Sequence, residues 1–389
     1  MKASKFLFSV VLTIVAACDI SNNNVEPMST FTKIYDDSRF EHEYFPLDVI
    51  QTADEGFLIL SEKKMDQSLF TNVFVLKADA MGNVVSNTEM DASYVHPVNG
   101  WQYIAGSYYF ICMDANTLTA QLVPVDESGA LGDPVSLGVS YPLVATQDGD
   151  NIVLLSFDNG NNETVISLAN ASGQISQQAS YTIGAGVDVE KPIIDHLTRN
   201  GDELPFAVGK SSDGTYYFNG FYNYTFSLVF TSFGGSPTGV CQGQLSEGGI
   251  SAVAPVSNGA FNVSRFNFGA NYLTPLASIS TSSTTSSVDL EGNIFPEIES
   301  GARVKIGQTE SGNWLYATQT QSKQLVLYSF DESGTILGTQ YMGSGNPYSF
   351  ASFCFTSDGG IAILAKTALE GRFPRIALLK RDGEFLEGF

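Results

Sequence analysis

The chain has 389 residues, 43% of them hydrophobic and only 15% charged, with 37 glycines and with 41 acidic against 19 basic residues, a net charge of −22. That length holds one large all-β domain or two ordinary ones. The acidity repels phosphate backbones and anionic headgroups, which excludes nucleic acid as a partner; it reads otherwise as a solubility device, or as a surface for a cationic partner or Ca2+.

The amino end is a targeting segment. Lys2 and Lys5 precede a short apolar run, Phe6 to Ala17, too short to span a bilayer. It ends in Val15-Ala16-Ala17-Cys18, which resembles the lipobox of bacterial lipoprotein signals. The resemblance implies that 1–17 are removed and that Cys18 is lipidated, with an ordinary secretory signal cut elsewhere as the alternative. Residues 18–29 are polar and turn-rich, a flexible tether. The expected location is therefore the cell envelope, lipid-anchored to a bacterial membrane, with the leaflet and face open.

Beyond the tether, residues 30–35 (Thr-Phe-Thr-Lys-Ile-Tyr) look like a strand without a partner in their own unit. Two signatures then alternate to the end. One opens on Thr or Ser, passes an acidic or Gly turn and reaches an apolar residue: Thr52-Ala-Asp54-Glu-Gly-Phe57, Thr309-Glu-Ser-Gly-Asn-Trp314 and Thr356-Ser-Asp358-Gly-Gly-Ile361, with looser copies at Thr146 and Ser211. The other is Asp/Asn-x-x-Gly-x-apolar, starting at Asp79, Asp126, Asn170, Asp289 and Asp331 and contracted at Asp382-Gly-Glu-Phe385. It recurs every roughly 40–50 residues, the interval of a propeller blade. The stretch from Asn170 to Asp289 spans two periods, with the missing copy at Ser232-Phe-Gly-Gly235.

Apolar runs such as Phe57-Leu-Ile-Leu60 and Val73-Phe-Val-Leu76, bounded by Gly and Asp, read as strands buried on both faces. The acidic residues of the turns cap their own hairpins. The expectation is one all-β domain over 30–389, a β-propeller of seven four-stranded blades, with six or eight as alternatives because 185–300 is irregular. Residues 384–389 read as a short last strand, and 30–35 as the strand that pairs with the final blade and closes the ring.

Candidate chemistry is sparse. Only His42, His96 and His196 are present, without metal-ligand spacing. There is no G-x-S-x-G elbow, no phosphate-binding G-x-x-x-x-G-K loop and no C-x-x-C pair. Cys112 and Cys354 lie in apolar strands as small hydrophobes and Cys241 is left over, so no disulfide is expected. The longest insertion, 188–203, carries Asp188, Glu190, Asp195, His196 and Arg199. It reads as a solvated polar loop or as a cover over the ring mouth, where those five residues would meet a ligand. The aromatic run 216–226 reads as blade packing, or as an exposed edge on which Tyr222 and Tyr224 stack on sugar rings. Residues 278–288, rich in Ser and Thr, form a long loop or a thin edge strand. No cofactor and no resident metal is expected. Asp158-Asn-Gly-Asn-Asn-Glu163 is an Asn-Gly turn on the plain reading and a weak Ca2+ loop on the other.

With the lipobox and both signatures in place, the chain resembles the exported propeller-repeat lipoproteins of Bacteroidetes-type bacteria. Thr356-Ser-Asp358-Gly359-Gly360-Ile361, Leu76-Lys77-Ala-Asp79-Ala-Met-Gly82 and Leu379-Lys380-Arg-Asp382-Gly383 carry the likeness. The resemblance implies a fold and an address, and assigns no catalytic residue. Three functions stay open: a non-enzymatic binding or scaffold module for an envelope protein, peptide or glycan, a polysaccharide-active hydrolase or lyase working at the channel mouth, or a part of an outer-membrane machine assembled through blade edges.

Overall fold

The structure, a computed structural model, describes residues 30–35, 42–65, 68–201, 203–245, 247–343, 345–368 and 373–389. The leader, Cys18 and the tether lie outside them. The described chain is mostly antiparallel strand joined by turns, arranged as successive up-and-down sheets. This is an all-β β-propeller.

One four-stranded sheet holds Pro142–Asp148, Asn151–Asp158, Glu163–Asn170 and Ile175–Thr182. The next holds Ala207–Lys210, Tyr216–Tyr222, Thr225–Thr231 and Gly239–Gln242. Gly248–Pro255, Phe261–Asn267, Ala270–Ala277 and Asn293–Ile294 follow, then Lys305–Gln308, Trp314–Gln319, Leu325–Phe330 and Ile336–Met342. Among the described residues there are five separate blades of four or five strands and one nine-stranded sheet, rather than the seven four-stranded blades expected. The difference arises at the start of the ring. There the meander of Tyr44–Gln51, Phe57–Lys63, Asn72–Ala78 and Val84–Glu89 is joined to that of Gln102–Ile104, Ser107–Asp114, Thr119–Val125 and Val135–Ser140. The joint is the two-residue strand Tyr94–Val95, which pairs with Asn72 on one side and with Met113 and Asp114 on the other.

The two sequence signatures meet in space, and this explains why they travel together. The Thr52 turn joins the first two strands of its sheet; Lys77, two residues before Asp79, ends the third. Lys77 Nζ donates to Thr52 Oγ1 at 2.5 Å and to Asp54 Oδ1 at 2.7 Å, its side chain only 2% exposed. Lys380 makes the same ion pair with Asp358, which accepts from Thr356 Oγ1 at 2.5 Å. The Asp of the second signature serves its own hairpin, as Asp79 Oδ1 does in accepting from the amides of Met81 and Asn83. Asp158 does likewise for Gly160 and Asn161, so the plain turn reading accounts for its oxygens. Gly82 there has φ 75° and its α-carbon faces the ring of Phe31, 2.5 Å from where a Cβ would sit, so only glycine fits.

Phe31–Tyr35 pairs antiparallel with Pro374–Arg381 and completes the last sheet, with Phe350 and its neighbours in Tyr348–Phe355 at the other edge. First and last segments thus share one sheet, as expected. The expected strand over 384–389 is a short helix instead, Gly383–Glu387, capped by Asp382 accepting from the Phe385 amide at 3.2 Å. Because Phe31–Tyr35 already occupies the edge of that sheet, the chain end has no strand to pair with. It turns Phe385 and Phe389 onto the neighbouring apolar cluster.

The insertion between Thr182 and Ala207 is helical as well. The helix α1, Val187–Leu197, buries Val189, Ile193 and Leu197, spaced four apart on one face, against Phe221, Phe226 and their neighbours. Burial of that face sustains it although Pro192 lies inside and Gly186 offers no side-chain cap. In the 278–288 stretch, Thr284–Ser286 adds a parallel fifth strand beside Gly239–Gln242. Cys112, Cys241 and Cys354 are free and sit on three different sheets.

Candidate functional site

The inner edges of the sheets surround a central channel. A cavity of about 360 Å3 runs through it, lined by Leu47 and Asp48, Val98 to Trp101, Leu143 to Thr146, Ala207, Ser251 to Val253, Arg303 to Ile306 and Ala351. Asp48 ties the wall together. Its Oδ2 accepts from the Trp101 amide at 2.9 Å; its Oδ1 accepts from Ser352 Oγ at 2.5 Å and faces Lys305 Nζ at 3.3 Å. One carboxylate of the nine-stranded sheet therefore reaches strands of two other sheets, Lys305–Gln308 and Tyr348–Phe355.

At the end where these inner strands begin, a chain of ion pairs crosses the mouth. Arg199, just past α1, donates its Nε to Glu62 and Nη1 to Glu203, while Arg303 Nη2 donates to Glu203 at 2.7 Å. Glu62 is 1% exposed at the end of its strand, and burial pushes its carboxyl above the ordinary range despite the pull of Arg199. Glu203 behaves oppositely: burial works against its charge, yet Arg303 and Arg199 hold its carboxyl well below the usual range. His96 and His196 meet edge to face beneath this layer, ring centroids 6.3 Å apart. Burial, reinforced by the nearby positive charge, lowers His96 to about 3, and burial lowers His196 to about 4. His196 Nδ1 accepts from the Leu204 amide at 3.0 Å, which fixes its ring.

Outside this layer lies a second depression of about 300 Å3, walled by Phe45, Arg199, Glu203, Arg303, Gln319, Ser349 and Lys366. Arg199 Cζ stands 4.9 Å, and Lys366 Nζ 5.2 Å, from the centroid of the Phe45 ring.

The candidate residues therefore separate. Arg199 and His196 line the channel cavity, at its mouth. Asp188 and Glu190 lie in the first turn of α1 and line neither cavity nor depression, and Asp195 pairs with Lys191 on the helix surface. Tyr222 packs edge-on against Tyr181 at 6.3 Å, and Tyr224 is half exposed with its ring over Gly184; neither lines the channel. Glu62, Arg303 and Lys366 went unnoticed in the sequence, and Glu203 stood out only as the last residue of the insertion 188–203. Glu62 follows an apolar strand as one acid among 41, and only its Arg199 contact, 137 residues away, distinguishes it. Among the described residues, no three or more His, Cys, Asp or Glu side chains gather as a metal would require.

No protein-family model matches the chain, and no curated protein matches its sequence. Solved structures do resemble it. The BP39L lectin from Burkholderia pseudomallei superposes with a TM-score of 0.53 at 9% identity, covering 88% of this chain and 96% of the lectin. The β-propeller domain of the Trilobed protease from Pyrococcus furiosus gives 0.46 at 10% identity over 87% and 95% of the two chains. A protein of unknown function from Bacteroides caccae gives 0.40 at 11% identity over 78% and 94%. At 9% identity the likeness to the lectin is one of fold alone, and the architecture itself shows that the chain is a β-propeller.

Proposed function

We propose that this protein is an exported lipoprotein, anchored to a bacterial envelope through Cys18, that works as a non-enzymatic binding module for an envelope protein, peptide or glycan. The carrying observation is the ion-pair layer at the channel mouth. Glycosidic chemistry asks for one protonated acid and one carboxylate free to act as nucleophile or base. Here Glu203 is held by two guanidinium groups, and Glu62 lies buried under a third contact from Arg199. Side chains so engaged make a rigid, charged floor at the end of a ring, suited to recognition.

One feature favours the second reading, a polysaccharide-active enzyme: Glu62 raised and Glu203 lowered are two carboxyls pushed apart in acidity by their surroundings. A single experiment separates the readings. The mature protein is run through native gels cast with envelope and plant polysaccharides, presented with solubilised envelope proteins, and assayed for release of reducing ends or unsaturated products. Retention or capture without any product is the expected result. Product formation that disappears in Glu62→Gln would overturn the binding reading in favour of the enzyme.

A further inference from the structure

We propose that the depression outside the channel mouth is a subsite for the carboxylate of a small, singly charged acid, with Lys366 as its open cation. The inference deepens the binding reading and rests on it. In a chain this acidic, cations are scarce, yet Arg199, Arg303 and Lys366 converge on one wall about 300 Å3 in volume. Two of the three are spoken for: Arg199 bonds Glu62 and Glu203, and Arg303 bonds Glu203. Lys366 is half-buried on the strand Ile361–Ala368 and, among the described residues, has no carboxylate within ion-pair distance. Its ammonium stands over the face of Phe45, which it shares with Arg199.

Among the described residues, these three cations meet two carboxylates, Glu62 and Glu203, which leaves one positive charge over. That surplus matches a monoanion and would leave a dianion such as phosphate partly unpaired in a half-desolvated place. Burial lowers the Lys366 pKa, and Arg199, Lys323 and Arg303 push it the same way against the pull of Glu203. A bound carboxylate relieves that crowding. The Ser349 hydroxyl also lines the wall and has no hydrogen-bond partner among the described residues, so it is free to donate to a second oxygen. The volume admits one sugar ring or one amino-acid residue.

Calorimetric titration of the full chain tests this with matched probes: sodium glucuronate against glucose, and N-acetylalanine against its amide. The expected result is binding of a carboxylate and not of its neutral partner, with the tighter acid identifying the source as sugar or peptide end. Lys366→Met should weaken binding about tenfold or more, the loss of one charge-assisted contact, while Lys366→Arg keeps it. The acid-versus-neutral comparison on the unaltered chain stands even if Lys366→Met folds poorly. Equal binding of acid and neutral partner, no binding of either acid, or an unchanged affinity in a folded Lys366→Met would overturn the subsite. If both acids fail while polymer or envelope protein is still retained, the subsite alone falls; if nothing is retained, the binding reading falls with it.

Discussion

At the scale of single residues, the channel mouth is governed by what burial does to charge. His96 and His196 are neutral in the folded protein because enclosure lowers both, to about 3 and about 4, from an ordinary value of 6.5. A depressed histidine leaves the folded state with fewer bound protons than the unfolded chain, so stability is full above pH 6.5 and is lost as pH falls toward 4. Glu62, raised by burial, contributes with the opposite sign, and Glu203, already lowered, weakens only below the usual carboxylate range. A variant comparison isolates the histidines. His196→Asn should flatten the fall in melting temperature between pH 7 and pH 5 relative to the unaltered protein; an identical slope would show that His196 does not carry it. None of this was visible in the sequence beyond the presence of His196 and Arg199 in an insertion. Glu203 closes the same insertion, but Glu62 and Arg303 come from distant parts of the chain, and no local pattern marks a residue whose role is set by a contact 137 positions away.

At the scale of elements, the sequence was legible wherever local chemistry decides the backbone. The turns at Asp79, Asp126, Asn170 and Asp331 fall where the Asp/Asn-x-x-Gly pattern placed them, each accepting hydrogen bonds from its own loop amides. Helix α1 was missed because Pro192 and an uncapped start mask a helix by local criteria, while its apolar face is satisfied only by residues from other strands. The helix Gly383–Glu387 was missed for a related reason: whether 384–389 can pair depends on which segment has already taken the sheet edge. That edge segment is a point of leverage. Phe31 is buried, edge-on to Phe57 at 6.2 Å, and fills the space over Gly82. Phe31→Ala should cost about 3 kcal/mol or more and loosen the strand that covers Pro374–Arg381. Chemical denaturation and size-exclusion chromatography check it: the expected outcome is a lower midpoint with some self-association through the bared edge. Phe385→Ala, which removes a partly exposed ring, should cost clearly less.

For the whole molecule, the repeat made the architecture readable, since one period of strands and turns, iterated, has few ways to bury both faces of every sheet. The number of separate sheets was less readable, because joining two meanders takes only the pairings of Tyr94 and Val95, which no repeat encodes. The proposed membrane attachment belongs to this scale too. Metabolic labelling with a clickable palmitate analogue should mark the protein and sediment it with membranes, and Cys18→Ser should abolish both. Persistent labelling of Cys18→Ser would rule out that anchor.

The dipeptide Tyr94–Val95 has a mechanical consequence. It welds nine strands into a continuous hydrogen-bonded fabric, while neighbouring sheets elsewhere share only scattered backbone bonds, such as Ala145 N–H to the Asn99 carbonyl and Tyr348 N–H to the Lys323 carbonyl. Thermal breathing that peels one sector of the ring away must stop at that weld or tear both sectors together. The seam between the two ends of the polypeptide, stitched by Phe31–Tyr35, is accordingly the place for opening to begin, and the stretch from Tyr44 to Ser140 the last to come apart.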